Sequence, residues 1–315
     1  MSIADIAAAY VAERRSVGLK FDKGERALRR IVALHGEMGC APDELPRELV
    51  DAWCELRPGE SETNRLARVS QIRCLAEWMV RMGYAAHVAP RGQGWSRRGS
   101  YEPHIFTGDE LASLFSAADR LAGGDPCCQR AQASLVLRIL YSTGMRCGEA
   151  CCLAKGDVDL VANVLTVRHA KNDKDRLVPI HANVSDRMRA FESAAALAHP
   201  QYGSHDRFWS LPEGRPLKTR YVYGFFRDAL WEAGISHGGR GKGPRVHDLR
   251  FTFACHRLRR WVTEGADVNA LMPVLAAYMG HADTRCTEYY LRLTAELYPD
   301  MVEQVERECG WVVPS

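Results

Sequence analysis

Along the first 88 residues the apolar positions recur every three or four residues, the spacing of helices, and no stretch alternates as a strand would. Ser2 and Asp5 hold the two positions of a reciprocal helix cap, ahead of Ile3, Ile6 and Tyr10 on one face. A second helical stretch covers about 22–38 and ends near Gly39, and a third follows Pro46. A fourth starts at Ser61, spaces Leu66, Val69, Ile72, Leu75, Ala76 and Met79 along one side, and stops at Gly83. The pattern predicts a small bundle of four short helices.

Periodicity then disappears. "APRGQGWSRRGSYEPH", residues 89–104, is rich in Gly, Arg and Pro and reads as a linker. Beyond it, Thr107 with Glu110 forms another capping pair, and a helix is expected up to Gly123-Gly124. Another helix over about 127–142 carries Leu135, Val136, Ile139 and Leu140, and after a break at Gly144 a short one precedes "KGDVDL". "NVLTVRH" (163–169) and "RLVPI" (176–180) are strand-like and joined by polar residues, which predicts a β-hairpin. "RFWSL" reads as a short strand, and helices are expected at about 184–197, 218–233, 248–263 and 267–279. The fold class is therefore mainly α with a small antiparallel β-sheet (α+β) in two domains. The divisions are 1–88, a linker at 89–104, and 105–315.

Composition narrows the class. Apolar residues are 46% and charged residues 26% of 315, ordinary for a globular chain, and no apolar run reaches the roughly 18 residues that would suggest a bilayer span. The first residues, "MSIADIAAAYVAERR", lack the pattern of a secretory signal, so a cytoplasmic location is expected. The 11 cysteines are scattered; "CGEACC" (147–152) has no matching His/Cys pair at zinc spacing, so reduced thiols are expected rather than a metal. Net charge is only +3, but from His237 to Trp261 seven Arg/Lys face one acid. Glu296 to Glu308 reverses this, with five acids and one Arg. Such polarity fits a protein that turns one face to a polyanion, although a solvated, charge-laced surface would look the same.

Six residues of the second domain invite chemistry. Arg146 follows a glycine at a helix start, where a cation opposes the helix dipole unless an anion is to lie between them. Lys171 sits on the hairpin tip, with Lys174 as its alternative. His247 and Arg250, three residues apart, share a helix face. His281 follows the helix-stopping Gly280, and Tyr289-Tyr290 comes eight and nine residues later. Taken singly, each has an ordinary reading as surface, cap or core. Together they suit phosphodiester chemistry: two Arg for the non-bridging oxygens, a Lys for the leaving oxygen, His for proton handling, and a Tyr as nucleophile. Neither a P-loop nor a cluster of metal-binding carboxylates is present in the sequence, and no cofactor is expected.

These motifs closely resemble the tyrosine recombinase (phage integrase) family. "LYSTGMRCGEACCL" resembles its first arginine box, "HAKNDKDRLVPI" its lysine hairpin, "HDLR" its H-x-x-R box, and "GHADTRCTEYY" its final segment. The resemblance implies Arg146, Lys171, His247, Arg250 and His281 as the phosphate-activating set, Glu149 as a brace behind them, and Tyr290 rather than Tyr289 as nucleophile. "YYLRLTAELYPD" resembles a transposon-borne subset. The family often has Thr-Thr before the tyrosine, where this chain has Thr284 and Thr287 with Arg285 and Cys286 between. The resemblance further implies a site-specific recombinase for integration, excision or transposition, acting near the nucleoid. Its partner would be double-stranded DNA, bound as a homotetramer or with related recombinases, the N-terminal helices serving as a core-type DNA-binding domain. A helix at about 295–308 is the candidate for exchange between neighbours. A type IB topoisomerase-like enzyme and a catalytically silent DNA-binding protein are the competing readings.

Overall fold

The structure, a computed structural model, describes residues 1–18, 21–90, 102–168, 175–198, 207–209, 215–239, 243–281, 289–290 and 294. The chain divides into two compact units, Met1–Tyr101 and Glu102–Ser315.

In the first unit the described helices are α1 (Ile3–Ser16), α2 (Asp22–Glu37), α3 (Arg47–Cys54) and α4 (Glu62–Arg81). Ser2 and Asp5 cap α1 reciprocally, with 3.2 Å from the Asp5 amide to Ser2 Oγ and 3.0 Å from the Ser2 amide to Asp5 Oδ2. Ile6, Leu28, Ile31, Leu49, Trp53, Ile72, Leu75 and Met79 form its core. A single bridge between Leu45 and Ala86 ties the α2–α3 connection to the chain after α4.

The second unit is built around α6 (Gln129–Thr143), which is buried on nearly all sides. Against it pack α5 (Gly108–Ala122), α7 (Cys147–Cys151), α8 (Ala182–Ala198), α9 (Thr219–Glu232) and α10 (Asp248–Thr263), while α11 (Val268–Met279) packs on α10. The sheet has the order β1-β2-β3 and is antiparallel, with β1 at Val158–Asp159, β2 at Val164–Val167 and β3 at Arg176–Pro179. Leu165 faces Val178 and Val167 faces Arg176 across the hairpin. Of "RFWSL" only 207–209 are among the described residues, and there the structure shows one bridge, Arg207 to Ala154, with Phe208 and Trp209 buried in the core. The mainly helical fold with a small antiparallel sheet is as the pattern predicts.

One face of α10 holds the segment that enters this unit. Asp248 Oδ2 accepts from the amide of His104 at 3.4 Å, and Thr252 Oγ1 from that of Phe106 at 3.1 Å. His256, another four residues on, shares a backbone hydrogen bond with Phe106. Arg250 lies roughly 200° around the helix from Asp248, so the entering segment and Arg250 occupy opposite sides. No described helix is long and apolar enough to cross a membrane.

Candidate active site

The site is organised by the end of one helix. An α-helix leaves its last carbonyls unsatisfied, and the dipole makes that end attractive to cations. At the end of α11 three successive carbonyls each take a different arginine. Tyr278 O accepts from Arg176 Nε at 3.0 Å, Met279 O from Arg250 Nη2 at 2.9 Å, and Gly280 O from Arg146 Nη2 at 3.2 Å. This explains how three like charges tolerate one another. Each is anchored to a negative helix end, and a carboxylate lies between two of them.

That carboxylate is Glu149, on α7. It takes Arg146 Nη1 at 2.8 Å on Oε1 and Arg176 Nη2 at 2.6 Å on Oε2, and it also accepts the amide of Arg146 at 3.0 Å. Burial on its own would raise the pKa of Glu149; the hydrogen bonds from Arg176 and Arg146 outweigh it and hold the group below the usual carboxylate range. Arg146 stands at the N-cap of α7 in an extended conformation, so its side chain leaves the helix toward α11.

Gly144 sets the approach. It ends α6 in the left-handed region at φ 62°, and a Cβ there would lie 2.6 Å from Phe253. Its carbonyl accepts from Arg250 Nη1. Gly280 repeats the device at the end of α11, at φ 70°. Its amide bonds Ala277 O at 3.0 Å and that of His281 bonds Ala276 O at 2.9 Å, the two bonds of a Schellman C-cap. The cap delivers His281 directly to Arg250, with Nε2 2.7 Å from Nη2.

Arg250 is 2% exposed, and burial lowers its pKa, opposed chiefly by Tyr290, whose side chain hydrogen-bonds it. A guanidinium stays charged under such a shift. Tyr290 is 4% exposed and packs with Phe253, Leu258 and Met279. Its ring lies nearly parallel to that of His281, with centroids 5.6 Å apart, and meets Phe251 edge-on at 5.2 Å. Thr294 Oγ1 donates to its carbonyl at 2.7 Å. Tyr289 is less buried and meets Phe251 at 6.0 Å. His247 caps α10 by position, without a side-chain cap bond. Burial, then Arg250 and Arg146, push its pKa down to about 4. The residue keeps an open side toward solvent, which screens part of that push, and the direction makes it a neutral imidazole at neutral pH.

The structure thus brings Arg146, Glu149, His247, Arg250, His281 and Tyr290 together. Lys171 and Lys174 lie outside the described residues, as does the acidic stretch 295–308. Arg176 is the member that motif reasoning missed. Its signal was faint: an Arg at the first position of the outgoing hairpin strand, opposite apolar Val167. Among the described residues no group of three or more His, Cys, Asp or Glu could hold a metal ion.

Fold and site define the catalytic unit of a tyrosine recombinase. Residues 104–296 match the model of the phage integrase family. Two proteins of Sinorhizobium fredii (strain NBRC 101917 / NGR234), both named as integrase/recombinase, are similar over nearly their whole length. One, y4rE, is 33% identical over 301 residues, covering 96% of this chain and 95% of the relative. The other, y4rB, is 28% identical over 311 residues, covering 95% of each. The chain belongs to the phage integrase family. Its fold is also similar to that of the Tn1549 transposon integrase solved with a circular intermediate DNA, at TM-score 0.64 and 18% identity, covering 92% of this chain and 95% of that one.

Proposed function

We propose that this chain is a site-specific DNA recombinase that cuts and rejoins strands through Tyr290. The Tyr290 oxygen attacks phosphorus, the bond from phosphorus to the 5′-oxygen breaks, and a 3′-phosphotyrosine ester forms. The leaving oxygen takes a proton from Lys171 and departs as a 5′-hydroxyl. The 5′-hydroxyl of a partner duplex then attacks the ester and returns its proton to Lys171, while the tyrosine oxygen leaves and takes back the proton held by His247. Arg146 and Arg250 bind the non-bridging oxygens and the added transition-state charge. His247, neutral in the free protein, is suited to accept the tyrosine proton, and His281 donates a hydrogen bond to the phosphate. Glu149 holds Arg146. Energy is conserved in the phosphotyrosine ester, so no cofactor is required.

The observation that carries this reading is the meeting of three side chains from three parts of the chain. The Tyr290 phenol hydrogen-bonds Arg250, and Arg250 and His281 lie within 2.7 Å of each other. The helical residues 1–88 act as the DNA-binding domain joined by the 89–104 linker, and the protein works on paired duplexes as a tetramer, in the compartment of the chromosome. Membership of the family supports each of these roles. Incubation with nicked duplexes from the ends of its native element should give a protein–DNA adduct that survives denaturation. Tyr290→Phe should abolish it and Tyr289→Phe should keep it. The reverse result would move the nucleophile to Tyr289, and no adduct in any sample would favour a silent DNA-binding protein.

A further inference from the structure

Arg176 stands inside the lysine-hairpin stretch, five residues past Lys171, and was not among the candidate residues; its side chain is only 10% exposed and reaches both Glu149 of the first arginine box and the helix end that leads into the final segment. Its Nη1 and Nη2 reach Oε1 and Oε2 of Glu149 at 3.3 and 2.6 Å, while Nε donates to the carbonyl of Tyr278 at 3.0 Å. All three guanidinium nitrogens are therefore engaged. The first pair ties the hairpin to α7, whose N-cap is Arg146; the last ties it to the end of α11, which delivers His281. Gly280 is shaped around this side chain, since a Cβ there would come within 2.7 Å of Arg176 Nη1.

We infer that Arg176 is a positioning residue for the strand-cleavage reaction: it fixes the Glu149 carboxylate that orients Arg146 and locks the hairpin to the helix end that presents His281. The inference rests on the recombinase reading above. Two arginines share one carboxylate. Glu149 is nearly buried, and Arg146 alone would leave one carboxylate oxygen with only a backbone amide as partner. Arg176 supplies the second charged partner, so Arg146 can keep a free edge for phosphate while the carboxylate stays ionised. A lysine could supply the charge but not the fork that spans two oxygens and a carbonyl.

The charged groups facing Glu149 are Arg146 at the start of its own helix, Arg176 from β3 and, further off, Arg250 from α10. On the α9 side, Tyr223 meets the thiols of Cys147 and Cys151. Arg176→Met removes the strongest of the interactions that keep Glu149 ionised, so its carboxyl should bind a proton at higher pH. Since the ionised form braces Arg146, the acid limb of the cleavage profile should move up in pH. Arg176→Lys keeps the charge, so it should slow cleavage without moving that limb.

The test measures single-turnover adduct formation on a nicked duplex against pH for wild type, Arg176→Met and Arg176→Lys, with duplex affinity and melting temperature alongside. We expect Arg176→Met to slow adduct formation by about 100-fold, the scale of a misplaced catalytic group, at near-unchanged affinity and with the acid limb raised. Arg176→Lys should fall between the two, with the limb in place. If wild type forms adduct and Arg176→Met matches it in rate and profile, the inference fails alone. It fails equally if the loss merely follows a falling melting temperature in both variants, with neither limb moved. If wild type forms no adduct, the recombinase reading fails and takes the inference with it.

Discussion

A histidine flanked by two arginines has one main difficulty, which is to carry a third positive charge. For His247 burial adds to the push from Arg250 and Arg146, and the imidazole is neutral at neutral pH. The sign matters for both function and stability. A neutral ring can take a proton from Tyr290, which a protonated one cannot. The folded protein binds this proton later than the unfolded chain, so stability falls as pH drops from the ordinary value of 6.5 toward about 4. A proton NMR titration of the His247 ring in the DNA-free protein should give a pKa below 6.5. Arg146→Ala should raise it, because one of the two cations is gone. A value above 6.5 in the wild type would make His247 a cation at rest and remove it from the base role.

At the scale of elements, the positions of the reactive groups are set by where helices stop. Gly144 ends α6, turns the chain toward Arg146 and offers its carbonyl to Arg250. Gly144→Ala should cost about 1–2 kcal/mol for the left-handed backbone alone, with more from the clash against Phe253. A melting temperature unchanged from wild type would show that this turn has another solution. Stops and caps of this kind were legible in the sequence. Ser2 with Asp5, Thr107 with Glu110, and the glycines at 83, 123 and 144 mark helix ends through local chemistry that needs no tertiary context. What was not legible depends on distant partners. Val158–Asp159 is only two residues long and is a strand because Val164 and Leu165 pair with it. Phe208 and Trp209 have the composition of a strand, but burial against Phe191 decides their place. Arg176 is called into the site by Glu149, 27 residues away, and by a carbonyl 102 residues away. The motif residues were legible through the resemblance of the chain to a family. Why they can coexist was not, because the α11 carbonyls that hold three arginines carry no side-chain signature.

For the molecule as a whole, recombination demands more than one active site, because each cut strand must find a second duplex. The acidic stretch at 295–308 lies outside the described residues, and we propose it as the tether between neighbouring protomers. Truncation after Leu293 should keep duplex binding and adduct formation but reduce synapsis, measured as paired-site complexes by gel shift. Full synapsis by the truncated chain would dismiss the tether. Covalent joining of Tyr290 to DNA can be read by digesting the denatured adduct and locating the nucleotide-bearing residue by mass spectrometry. Digestion should leave a 3′-phosphoryl nucleotide on Tyr290, with a free 5′-hydroxyl on the other side of the cut. A nucleotide on Tyr289 or on any other side chain, or a link through the 5′ end, would contradict it.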